Sequence, residues 1–119
     1  MSRSLRVLVI EDEIIVTMLL EDLLAELGHT VMATASHLED AVRLAQAGGF
    51  DIAMLDLNIN GRQTFPVAEL LRAQDVPFVF ATGYGEAGLP EAWRGTPTLQ
   101  KPFMGEDLAL VLARVAGGK

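Results

Sequence analysis

Asp51-Ile-Ala-Met-Leu-Asp56-Leu-Asn58-Ile-Asn60-Gly61 is the stretch that decides the fold. A short apolar run ends abruptly in a carboxylate, and Asn and Gly then turn the chain. Such a run reads as a buried strand whose last residue, Asp56, stands at the sheet's edge. A second run, Arg6-Val-Leu-Val-Ile10, ends the same way, in Glu11-Asp12-Glu13. Two buried strands that both finish in acid imply one acidic pocket.

Outward from these strands the pattern alternates. Residues 5–10 are almost continuously apolar, which suits a parallel strand covered on both faces. From Glu13 the period becomes helical. Val16, Leu20, Leu23, Leu24 and Leu27 fall on one stripe, and Gly28 is placed to stop the helix. Residues 29–35 return to extended character. Ser36 and Glu39 form a Ser-x-x-Glu box that predicts the start of a second helix, ended by Gly48-Gly49. Residues 50–55 form the strand quoted above. A third helix is expected from about Pro66, with Val67, Leu70 and Leu71 inward. Residues 76–81 form another strand, ending at Thr82-Gly83. Glycine and proline then interrupt residues 83–97, leaving at best a turn or two of helix over 89–94. Residues 98–100 read as a short strand before Lys101-Pro102. The last helix runs over 105–116, with Leu108, Val111, Leu112 and Val115 inward. Five strands thus alternate with five helices, the fourth short or irregular. Short connections imply right-handed crossovers and a parallel sheet between two helical layers.

With 119 residues, half of them apolar, the chain suffices for one well-buried domain, taken as 1–119. It has no cysteine, which excludes disulfides and thiolate metal sites. The formal charge of -7 argues against unaided nucleic-acid binding, which needs basic patches. No apolar run approaches the roughly 18 residues of a membrane span. Met1-Ser-Arg-Ser-Leu lacks a signal-peptide cleavage region, so a cytoplasmic protein without membrane contact is expected.

Four strands end in polar residues: Glu11 and Asp12, Asp56, Thr82, and Lys101. In an open parallel sheet, ligands bind outside the strands' carboxyl ends. Three clustered carboxylates repel unless a cation sits among them, and hard oxygen donors select Mg²⁺. A carboxylate nucleophile can take a phosphoryl group as an acyl phosphate. Catalysis of that transfer is mostly positioning and charge stabilisation, for which the Lys101 ammonium and Thr82 hydroxyl are suited. Each residue alone has a plainer reading. The acids fit a helix's first turn, Asp56 a cap, Thr82 a turn, and Lys101 solvated surface. His29 and His37 read as loop residues, and Tyr84 and Trp93 as loose surface contacts. Leu108, Val111, Leu112 and Val115 read as core, with Ala109 and Ala113 widening a surface for a partner.

The ordered set resembles a response-regulator receiver domain over essentially the full chain. Glu11-Asp12 follows the first strand, Asp56 the third, Thr82 the fourth, and Lys101-Pro102-Phe103 the fifth. The resemblance implies a flavodoxin-like, doubly wound five-stranded sheet in the order 2-1-3-4-5. It implies that Asp56 is phosphorylated, that Asp12 holds Mg²⁺ directly, and that Glu11 acts mostly through water. Asn58 would give its backbone carbonyl to the metal, Thr82 would be the switch hydroxyl, and Lys101 would bind the phosphate. Thr82, Tyr84, Thr98 and Phe103 would form the switch and partner surface. A sensor histidine kinase or histidine phosphotransfer domain would supply the phosphoryl group. Asp56 would then lose it by autodephosphorylation, the chain's only enzymatic chemistry. The read-out would be a contact with a downstream protein, or the domain would be a phosphate sink; no output domain is expected after Lys119. Two departures stand out. Asn58-Ile-Asn60-Gly61 replaces the frequent Met-Pro, and Thr98 stands where many receivers carry an aromatic switch residue. Phe80-Ala-Thr82-Gly-Tyr84 resembles the family's Phe-Ala-Thr-Gly-Tyr variant, often paired with unusual sensor kinases.

Three other readings compete. A small Asp-nucleophile phosphatase needs a second acid where Asn58 stands. An unphosphorylated pseudo-receiver fits poorly with an intact acceptor, acid pair and lysine. A flavin binder of the same architecture would find its phosphate repelled by Glu11 and Asp12.

Overall fold

The computed structural model describes residues 4–117. The elements run β1 (Arg6–Ile10), α1 (Ile14–Glu26), β2 (Thr30–Ala35), α2 (Leu38–Ala47), β3 (Ile52–Asp56), β4 (Asn58–Ile59), β5 (Arg62–Gln63), α3 (Phe65–Ala73), β6 (Phe78–Thr82), β7 (Thr98–Gln100) and α4 (Gly105–Gly117). Two short 3₁₀ turns, Glu86–Gly88 and Glu91–Trp93, stand where a further helix would complete the alternation. Glycine and proline make that segment costly as α-helix, which accounts for the fragments.

The main sheet is parallel, in the order β2-β1-β3-β6-β7. Counting only its five strands, this is the expected 2-1-3-4-5. The two intervening strands are a separate antiparallel pair, β4-β5. Period-two alternation assigns each strand's residues to the two faces. Leu8, Ile10, Ala53 and Leu55 enter one core with Ala41, Ala45, Val67 and Leu71 of α2 and α3. Val7, Val9, Ile52 and Met54 enter the other with Leu20 and Leu24 of α1 and Leu108 and Leu112 of α4. Strands covered on both sides must be apolar at every position, hence the continuous runs in β1 and β3.

Three local expectations change. The Ser36–Glu39 capping box does not form. His37 is the N-cap of α2 without a side-chain cap bond, and the Ser36 hydroxyl instead meets His37 Nδ1 at 3.2 Å. Trp93 is not a loose surface contact but a buried one, 5% exposed. Its ring stacks on Phe65 at 5.7 Å and meets Phe78 and Phe80 edge-on, with the Arg72 guanidinium 3.9 Å from its centre. Phe103 is not surface either. It is buried in the core under α1 and α4.

Candidate functional site

The order of the sheet reverses between β1 and β3, whose neighbours lie on opposite sides. A crevice opens outside the carboxyl ends of such strands. Ile10 pairs with Leu55, so Glu11 and Asp56 both emerge there one residue on. Oxygens of Glu11, Asp12 and Asp56 lie within 4.8 Å of one another. Glu11 is buried, Asp56 half-buried and Asp12 exposed.

Lys101 crosses 45 and 90 residues of sequence to reach this cluster. Its Nζ donates to Glu11 Oε1 at 2.9 Å and to Asp56 Oδ2 at 3.0 Å, with Glu13 Oε1 at 3.8 Å. β6 and β7 set this reach. Thr82 pairs with Gln100, and Lys101 N–H donates to the Thr82 carbonyl at 2.9 Å. The Lys101–Pro102 peptide is cis. One ammonium therefore ties Asp56 at the end of β3 to Glu11 after β1.

The electrostatics follow. Burial pushes the Glu11 carboxyl up to about 6, and the Asp56 charge adds to the rise. The Lys101 hydrogen bond and the Glu13 N–H work the other way. For Lys101, burial works downward, but the hydrogen bonds to Glu11 and Asp56 outweigh it and raise the ammonium's pKa. The lone lysine offsets one of three negative charges, so the cluster keeps a surplus that a divalent cation fits. The oxygen-only donor set, with Asp12 and Asp56 partly open, has the hard character Mg²⁺ takes. Glu11, Asp12 and Asp56 would hold it, and bound there it would supply positive charge to a phosphoryl oxygen.

The remaining expected residues are distributed unevenly. Asn58 lies two residues past Asp56, with its N–H 3.4 Å from Asp56 Oδ1. Thr82 ends β6 and is buried; its Oγ accepts the Tyr84 N–H at 3.1 Å. Tyr84 itself is 80% exposed and offers a surface. Thr98 is half-buried at the start of β7, opposite Phe80 of β6 and away from the strands' carboxyl ends.

Sequence reasoning missed Thr64. It is wholly buried before α3, and its hydroxyl donates to the Asp56 carbonyl while its N–H donates to the Leu57 carbonyl. These bonds fix the strand end that carries Asp56. Its signal was a polar residue directly before Phe65-Pro66, a helix-start position. His29, read as a loop residue, has a structural bond: its Nδ1 accepts the Leu5 N–H at 3.0 Å.

A family model described as the response regulator receiver domain matches residues 7–112. The phyllosphere-induced regulator PhyR of Methylorubrum extorquens is 32% identical over 113 residues, covering 91% of this chain. The chain spans only 42% of that relative's length. The solution structure of SdrG from Sphingomonas melonis Fr1 superposes with a TM-score of 0.87 at 40% identity, covering 98% of this chain and 99% of that one. A structure described as the BeF3-activated conformation of SdrG, from Pseudomonas melonis Fr1, superposes with a TM-score of 0.78 at 41% identity. It covers 91% of this chain and 92% of its own.

Proposed function

Because the chain belongs to the response regulator receiver domain family of two-component signalling, we propose that it takes a phosphoryl group from a phosphohistidine onto Asp56, with Mg²⁺. The observation that carries this reading is the Lys101 ammonium held at 3.0 Å from Asp56 beside the Glu11 and Asp12 carboxylates. Mg²⁺ would supply charge stabilisation to the transferring group. The chain's own groups do the rest. Asp56 offers a carboxylate oxygen, and Thr64 holds its backbone carbonyl from behind. Lys101 offers a second positive charge, and can turn from Glu11 toward an incoming phosphoryl oxygen. The Asn58 carbonyl would complete the metal's oxygen set. The Thr82 hydroxyl, a short step beyond Ala81, which pairs with Asp56, would follow the phosphoryl group as the switch. SdrG supports this, since BeF3 has the shape and charge of a phosphoryl group.

The donor would be a sensor histidine kinase or histidine phosphotransfer domain, and the output a contact with a downstream protein. Tyr84 is the exposed member of the expected switch surface. Acetyl phosphate with Mg²⁺, followed by intact mass, tests the acceptor. Wild type gains one phosphoryl group, and Asp56→Asn gains none. Equal labelling of both overturns the assignment.

A further inference from the structure

Beyond the Asn58 carbonyl, the β4-β5 hairpin takes no part in the reading above, yet its turn touches the pocket. It turns at Asn60-Gly61, whose φ angles of 50° and 77° are those an Asn-Gly hairpin turn requires. Ile59 is fully buried and anchors the hairpin in the core on the α2 and α3 side. Asn60 N–H donates to Asp12 Oδ2 at 2.8 Å, across 48 residues of sequence. The Asn60 side-chain Nδ2 donates to the Ser36 carbonyl at 2.6 Å. Arg62 pairs with Glu39 at 2.7 Å, tying the same hairpin to the first turn of α2. One residue thus spans the acidic pocket and the β2–α2 connection.

We propose that Asn60 is a positioning residue for the Asp12 carboxylate, holding Oδ2 so that the other oxygen is presented to the divalent cation. This rests on the pocket being a Mg²⁺ site. Asp12 is exposed, and its side chain would otherwise lose rotamer freedom on binding the metal. A fixed donor removes that cost in advance, as hydrogen bonds behind metal ligands generally do. The Ser36 bond holds the donor itself still. The test separates anchor from backbone. Asn60→Gly keeps the positive φ and the N–H but deletes the bond to Ser36. Asn60→Asp keeps the shape but turns a second acceptor toward the Ser36 carbonyl. Ser36→Ala keeps that carbonyl and is the control.

Mg²⁺ affinity is measured by titration of amide shifts, with thermal unfolding recorded free of metal. Asn60→Gly should bind Mg²⁺ about tenfold more weakly, and Asn60→Asp should lose less, since its added negative charge attracts the cation, with metal-free melting unchanged; Ser36→Ala should match wild type. Wild-type affinity in Asn60→Gly overturns the role. So does an affinity loss matched by metal-free destabilisation, which would make the residue merely structural. Should both variants fail to fold, hydrogen exchange of the residue 60 amide in wild type decides. Protection with and without Mg²⁺ supports the role, and free-peptide exchange overturns it. A wild type that binds no Mg²⁺ overturns the pocket reading together with this one, whereas wild-type binding with an unaffected Asn60→Gly overturns this one alone.

Discussion

Glu11 is a buried carboxylate whose environment opposes its ionisation. Its side chain is 1% exposed, and only Lys101 and the Glu13 N–H offset its charge. Its carboxyl titrates at about 6 in the fold against 4.5 for the ordinary group. A raised acid favours the protonated fold, so ionisation carries a stability penalty. That penalty is absent below about pH 4.5, grows as pH rises through about 6, and is complete above it. Thermal unfolding of metal-free wild type should therefore fall relative to Glu11→Gln between those values. Parallel curves for the two proteins would contradict the burial argument. Saturating Mg²⁺ should shrink the difference, because the cation favours the ionised carboxylate. Thr82 carries a second prediction at this scale. Thr82→Ala removes the acceptor for the Tyr84 N–H but no carboxylate, so acetyl phosphate should still label it. The Tyr84 amide should exchange faster, and its shift change on phosphorylation should shrink. Unchanged Tyr84 behaviour would remove Thr82 from the switch.

At the scale of elements, the segment between β6 and β7 is where sequence and structure part. Its glycines and prolines predict at best a short, irregular helix, and the structure has two 3₁₀ turns there. Those residues also suggest a loosely held connection, and that fails at Leu89 and Trp93, which are 3% and 5% exposed. Periodicity could not find this, because one large ring filling a gap between Phe65, Phe78 and Phe80 needs no helical repeat. The capping box failed for a related reason: the local pattern was present, but His37 rather than Ser36 occupies the cap. Trp93→Ala should destabilise the fold by about 3–5 kcal/mol, measured by urea unfolding; a loss under 1 kcal/mol would return Trp93 to the surface. Ordering on activation is then confined to the front of the segment. Gly83, Tyr84, Ala87 and Gly88 are exposed, while a Cβ on Gly88 would come within 2.6 Å of the Tyr84 Cβ. Only glycine at position 88 leaves room for Tyr84 there. Hydrogen exchange should show residues 89–93 protected with or without BeF3, and a gain of protection over 83–88 only. A gain spread evenly across 83–97 would mean the Trp93 anchor is not holding.

Across the whole molecule, the meeting of Glu11, Asp12, Asp56 and Lys101 was legible because strand ends in a parallel sheet converge by topology, whereas the strand order came from the family resemblance. What the α1 pattern hid was its second face. The stripe ending in Leu20 and Leu24 goes inward, but Ile14, Ile15, Met18 and Leu19 are 74%, 77%, 57% and 41% exposed. A helix needs one apolar face to pack on a sheet, so this second one is surplus to the fold. It begins immediately after Glu11-Asp12-Glu13, and so borders the acidic pocket. Among the described residues no helix is long and apolar enough to cross a membrane. A protein donor delivering phosphate to Asp56 must approach this border, whereas a small donor need not touch it. Ile15→Ala with Met18→Ala removes buried area worth about 2–4 kcal/mol if a donor covers it, which is tenfold or more in transfer efficiency. Alanine keeps the helix and adds no charge beside the pocket. Transfer from a cognate phosphohistidine protein should therefore slow by about that factor, while the rate of labelling by acetyl phosphate stays at the wild-type value. Equal slowing with both donors would place the effect in the pocket, and no slowing with either would leave the face to some partner other than the donor.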